Sequence, residues 1–119
     1  AYNASPMSMR AAIHTLAQVA PGRKVAVMGD MLELGSVSVE AHRTVGRELA
    51  ENGVTVLVTR GEMGEYIADG AEDAGMKQVY RCGTHEAAGC VLRELLEPGD
   101  TILFKGSRGM QMEKIIDLL

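Results

Sequence analysis

Lys105-Gly106-Ser107-Arg108-Gly109 sets two cations and a hydroxyl among glycines. Glycine admits close backbone approach, Ser107 can cap a helix or donate, and Lys105 and Arg108 bring positive charge to a helix N-terminus that already favours anions. A phosphate or a carboxylate fits such a corner. A plain strand-to-helix turn with a Ser cap and two solvated cations explains the same residues without a ligand. The order G-x-x-x-x-G-K-[ST] is absent, so the chain does not carry a complete nucleotide triphosphatase.

Gly29-Asp30-Met31-Leu32-Glu33-Leu34-Gly35 is the second stretch with chemical potential. Asp30 and Glu33, beside what reads as an exposed Met31-Leu32 pair, could hold a metal, a ribose hydroxyl or a substrate amine. Equally, Asp30 can close an Asx-turn, with Leu32 and Leu34 as a hydrophobic lid. His42 falls at the edge of an apolar stripe on the next helix, where a packed or surface histidine is commoner than a base. His14 and His85 have weaker claims. No His, Cys, Asp or Glu spacing reads as a zinc site, and no Ser-His-Asp or Cys-His set can be assembled from sequence order. At the N-terminus, Tyr2, Asn3 and Ser5 offer an aromatic face, an amide and a hydroxyl ahead of a helix dipole, suited to adenine stacking or phosphate contact. A capped helix entry, with Ser5 as N-cap and Pro6 at the first helical position, accounts for them as well.

Such corners work only on a scaffold that gathers them. Met9, Ala12, Ile13, Leu16 and Ala17 repeat at helical spacing and predict a helix over 6–19, broken by Pro21-Gly22. Lys24 to Met28 is a short apolar run closed by Gly29-Asp30, as expected of a strand buried on both faces. Ser38 reads as N-cap of a second helix carrying Ala41, Val45 and Leu49, which ends at Asn52-Gly53; Val54 to Thr59 is the next strand. A Gly-diluted helix follows over Met63 to Ala74, then a strand from Gln78 to Cys82. Thr84 caps a helix whose Ala88, Val91, Leu92, Leu95 and Leu96 form a full apolar face, and Thr101 to Phe104 is the last strand. Met112, Ile115, Ile116 and Leu119 mark a final helix. Four strands alternating with helices predict an α/β fold, an open and mainly parallel doubly wound (Rossmann-like) sheet flanked by helices. Ligands in such sheets gather beyond the strand carboxyl ends, where all these corners would share one rim. A leading helix without a strand in front predicts that the chain begins just after a strand of a longer parent.

Composition narrows the class. With 119 residues the chain makes one domain, 1–119. Twelve Lys and Arg against 16 Asp and Glu leave a net charge of −4 with no basic run, which speaks against a nucleic-acid surface. No apolar stretch is long enough for a membrane span, and no signal peptide is present. Cys82 and Cys90 form no disulfide framework and read as ordinary buried thiols in a reducing cytoplasm; the eight Met read as core filler.

Four motifs in one order carry a resemblance: Tyr2-Asn3-Ala4-Ser5-Pro6 followed by Ser8-Met9; Gly29 to Gly35; His42 with Val45-Gly46; and Lys105-Gly106-Ser107-Arg108 followed by Met112-Glu113. Together they resemble the C-terminal domain of the Mur ligases, in the MurF branch of UDP-N-acetylmuramoyl-tripeptide:D-alanyl-D-alanine ligases, from Tyr2 to Leu119. The resemblance implies a three-domain enzyme of peptidoglycan synthesis that uses ATP and magnesium, bound mainly by a central P-loop domain, and that joins D-Ala-D-Ala to UDP-N-acetylmuramoyl-tripeptide through an acyl phosphate. This domain would close over nucleotide and dipeptide and hold no catalytic residue of its own. By that pattern Tyr2, Asn3 and Ser5 face the nucleotide. Ser107 with Lys105 or Arg108 holds the dipeptide carboxylate, and Asp30 and Glu33 shape the pocket or engage its ammonium. Ser5 departs from the family's Asn-Ala-Asn-Pro form, which weakens the case for an amide contact to nucleotide there. Two other classes compete. A receiver-like signalling module would need a phosphoacceptor Asp where Thr59-Arg60-Gly61 and Cys82-Gly83 stand, whereas a purely structural packing domain needs no such residue.

Overall fold

The computed structural model describes residues 5–19, 22–31 and 34–106. In chain order its elements are α1 (Pro6–Val19), β1 (Lys24–Gly29), a 3₁₀ turn (Gly35–Val37), α2 (Ser38–Glu51), β2 (Val56–Arg60), α3 (Gly64–Asp73), β3 (Gln78–Cys82), α4 (His85–Leu95) and β4 (Thr101–Lys105). The strands form one sheet in the order β3-β2-β1-β4, parallel throughout. The expected α/β class holds, with helices on both faces. The final helix expected on Met112 to Leu119 lies outside the described residues.

Strand pleating divides the core in two. Ala26, Met28 and Leu57 face α1, α2 and α3, packing with Met9, Ile13, Leu16, Val45, Leu49 and Ile67. Val25, Val27, Val56 and Val58 face the other way, against Ala88 and Leu92 of α4. Covered on both sides, β1 and β2 have no polar face to show, which is why they read as continuous apolar runs. β3 and β4 are only partly covered among the described residues.

Backbone contact joins α2 and α3. A Cβ on Gly46 would run into the Ile67 carbonyl oxygen, and one on Gly70 into the Arg43 carbonyl oxygen. The glycines that dilute α3 therefore bring two helix backbones together. At the opposite side, Arg23 clamps the start of β1 to the loop before β4. Its Nε and Nη2 donate to Asp100 at 3.0 and 2.7 Å, and Nη2 also reaches the Leu95 carbonyl at 2.6 Å.

Three local expectations change. Ser38 is the first helical residue rather than an N-cap, because the 3₁₀ turn leads directly into α2 and Val37 occupies the cap position without a side-chain bond. Met31 is 1% exposed, a core residue and not half of an exposed pair. Cys90 is exposed and Cys82 half-buried, so neither is a fully buried thiol.

Candidate functional site

Helices that alternate with parallel strands run back across the sheet, so α1, α2, α3 and α4 all begin at the rim where the strands end. Glycine marks each strand's carboxyl end: Gly29 closes β1, while Gly61, Gly83 and Gly106 follow β2, β3 and β4 directly. Few side chains therefore crowd this edge, and helix N-termini supply a field that favours anions.

Ser5 sits at the start of α1. Its Oγ accepts the Ser8 N–H at 3.1 Å, and the Ser8 Oγ accepts the Ser5 N–H at 2.9 Å, a reciprocal cap in which Ser8 takes the place usually held by Glu or Gln. Thr84 caps α4 in the ordinary way, its Oγ1 accepting the Ala87 N–H at 3.0 Å.

Asp30 lies just past β1 and is 7% exposed. Its Oδ1 accepts the Gly64 N–H at 2.9 Å, so the carboxylate serves as a cap for α3, a neighbouring element. Gly64 can deliver that N–H because it packs tightly on Thr59, where a Cβ would meet the Thr59 Cβ at 3.0 Å. His42 fixes the next residue. Its buried ring accepts the Met31 N–H at Nε2, 2.9 Å away, and Nδ1 lies 2.6 Å from the Ser38 carbonyl oxygen. A carbonyl can only accept and an amide can only donate, so the ring is neutral with its proton on Nδ1. His42 is thus a packed histidine holding the corner, not a base.

Lys105 ends β4, half-buried and paired in register with Met28. Arg60 ends β2, between Gly29 and Cys82 in register, and its buried Nε has no hydrogen-bond partner. Arg60 is a lone charge closing a buried apolar strand. Burial pushes the Cys82 thiol up, which disfavours the nucleophilic thiolate. Tyr2, Asn3, Glu33, Ser107 and Arg108 lie outside the described residues. Ser5, Asp30 and Lys105 do come to the one rim. Among the described residues, no three His, Cys, Asp or Glu side chains meet as a ligand set for a metal ion. No described helix is long and apolar enough to cross a membrane.

A family model, that of the Mur ligase, glutamate ligase domain, matches residues 1–108. The UDP-N-acetylmuramoyl-tripeptide--D-alanyl-D-alanine ligase of Bacillus subtilis is 39% identical over 118 residues, which cover 98% of this chain and 26% of that protein. The Escherichia coli ligase of the same name is 33% identical, with 99% and 25% covered. Among solved structures, MurF from Acinetobacter baumannii superposes with a TM-score of 0.85 at 38% identity, over 98% of this chain and 26% of its own. MurF ligase from Thermotoga maritima in complex with ADP superposes at 0.82 and 29% identity, with the same coverage. The chain spans about a quarter of the length of the curated relatives it matches.

Proposed function

The chain belongs to the Mur ligase family, and on that premise we propose that it is the C-terminal domain of an ATP-dependent ligase that adds D-Ala-D-Ala to UDP-N-acetylmuramoyl-tripeptide in peptidoglycan synthesis. Residues 1–119 belong to that domain, and the enzyme works in the cytoplasm, where ATP is available. The observation that carries the reading is the family match over residues 1–108, on a parallel sheet whose carboxyl rim gathers Ser5, Asp30 and Lys105. A receiver-like module is set aside by Arg60 and Cys82, which end the middle strands where a phosphoacceptor would be needed.

In this reaction the γ-phosphoryl group of ATP passes to the tripeptide carboxylate, giving an acyl phosphate and ADP. The D-Ala-D-Ala amine then attacks the acyl carbon, an amide C–N bond forms, the C–O bond to phosphate breaks, and the amine gives up a proton. Both steps need fixed cations and a closed, water-poor site. Ser107 with Lys105 or Arg108 holds the dipeptide carboxylate. Asp30 and Glu33 shape the pocket, and the Asp30 oxygen not bonded to Gly64 is available to the ammonium. Tyr2, Asn3 and Ser5 lie on the nucleotide side. In this reading ATP and magnesium are bound mainly by the central domain of the enzyme.

Steady-state kinetics of the full-length ligase test the assignment. Lys105→Ala and Ser107→Ala should each raise KM for D-Ala-D-Ala by about fivefold to a hundredfold, from ~1–3 kcal/mol of lost charge-assisted hydrogen bonding, with KM for ATP nearly unchanged. Equal effects on both substrates refute it.

A further inference from the structure

His42 shares the buried face of α2 with Val45 and Leu49 and is itself fully buried. Both ring nitrogens go to backbone: Nε2 accepts the Met31 N–H at 2.9 Å, and Nδ1 donates to the Ser38 carbonyl at 2.6 Å. A leucine would fill the same space with no polar group to desolvate, so what the imidazole adds is direction rather than cohesion. That direction is used at one place. A single ring ties Met31, ahead of the 3₁₀ turn, to Ser38, the first residue of α2 beyond it.

The tie bears on the rim because of where Met31 stands. The last ladder pair of β1 with β2 is Gly29 with Arg60, so Asp30 and Met31 lie past it. Asp30 is fastened to α3 through Gly64, Met31 is fastened to α2 through His42, and the Met31 side chain packs in the core between α1, α2 and α3. The peptide between Asp30 and Met31 is therefore held from both ends. Without the His42 acceptor the Met31 N–H is buried and unpaired, a cost the chain relieves by shifting this peptide. Asp30 then pivots on its one bond to Gly64, and the carboxylate oxygen that Gly64 does not use loses its fixed place.

We propose that His42 is a positioning residue for the amine end of the incoming dipeptide: by locking the Asp30–Met31 peptide it fixes the free Asp30 oxygen, without touching the substrate. The role of that oxygen rests on the ligase reading above; the lock rests on the geometry of His42. Locking and binding are reciprocal, so a corner that binds the ammonium better when locked is also locked more firmly by the ammonium.

Kinetics of the full-length ligase test this with two amides. Asparagine at position 42 carries its amide where Nδ1 stands, so it keeps the Ser38 contact and leaves Met31 without an acceptor; glutamine is one carbon longer, and its oxygen reaches the Nε2 position. His42→Asn should raise KM for D-Ala-D-Ala about tenfold, with kcat and KM for ATP within about twofold of the parent, and His42→Gln should recover most of that loss. KM is a property of the folded fraction, so partial unfolding of a variant leaves this reading intact. The parent enzyme supplies a second measurement. Hydrogen exchange at its Met31 amide should slow by about tenfold at saturating D-Ala-D-Ala, and not with the same concentration of N-acetyl-D-Ala-D-Ala, which has no ammonium. An unchanged dipeptide KM in folded His42→Asn overturns the proposal, as does an equal rise for ATP and dipeptide or a failure of glutamine to rescue. If His42→Asn yields no active enzyme, the exchange measurement decides, and Met31 exchange unaltered by bound D-Ala-D-Ala overturns the proposal. A parent enzyme without turnover dependent on D-Ala-D-Ala overturns the ligase reading instead, and with it the dipeptide as ligand of this corner.

Discussion

Asp30 and His42 carry the residue-scale lesson, because both spend their polar atoms on backbone groups far along the chain. Alanine at position 30 leaves the first amide of α3 buried without an acceptor, at about 1–3 kcal/mol. Asparagine keeps an acceptor oxygen while removing the charge. Urea unfolding should therefore show Asp30→Ala clearly destabilised and Asp30→Asn close to the parent; equal losses would mean that the charge and not the acceptor holds α3. Cap chemistry of the Ser5 and Thr84 kind is legible in sequence because donor and acceptor lie three residues apart. Asp30 meets Gly64 across 34 residues, and His42 meets Met31 across 11, so their pattern is that of the fold rather than the local chain.

At the scale of elements, the α2–α3 contact turns helix propensity upside down. Alanine should favour an isolated helix over glycine by about 1 kcal/mol. At Gly46 or Gly70 its Cβ would strike the carbonyl of the facing helix, so Gly46→Ala and Gly70→Ala should each lower stability by about 3 kcal/mol, as read from urea midpoints. Gly70, with Gly64 at its start, makes α3 the weakest helix to read from sequence, whereas α4, with Thr84 and a full apolar stripe, is plain. The Arg23 clamp gives a pH signature. Hydrogen bonds from Arg23, then from the Glu97 N–H, hold the Asp100 carboxyl below its usual range. The unfolded chain takes up that proton near pH ~4 and the folded chain only at lower pH. The contribution is thus complete above about pH 4 and is lost as pH falls through the folded-state value. Arg23→Gln should be less stable than the parent at pH 7, with the gap narrowing as acid is added; urea midpoints across that range check it.

Over the whole molecule, the parallel sheet and its helix layers were readable from the alternation of elements, while the strand order was not. Apolar runs say that β1 and β2 are covered on both faces but not which strands lie beside them. Family membership also frames what the chain does by itself. The sequence lacks the phosphate loop that would hold ATP in a nucleotide triphosphatase, so the isolated chain should show neither ATPase nor ligase turnover. Product formation above a heat-treated control would contradict this. The order β3-β2-β1-β4 also has a consequence for biosynthesis. Residues 24–82 hold three adjacent strands with α2 and α3 between them, and can associate as soon as they are made. The β1 edge that receives β4 has to wait for residues 101–105. Until then, a strand buried from Val25 to Gly29 presents open backbone donors and acceptors to any neighbour. A chain stalled or cleaved before Thr101 would therefore be a seed for aggregation, which makes the last strand a guard on the quality of the newly made protein.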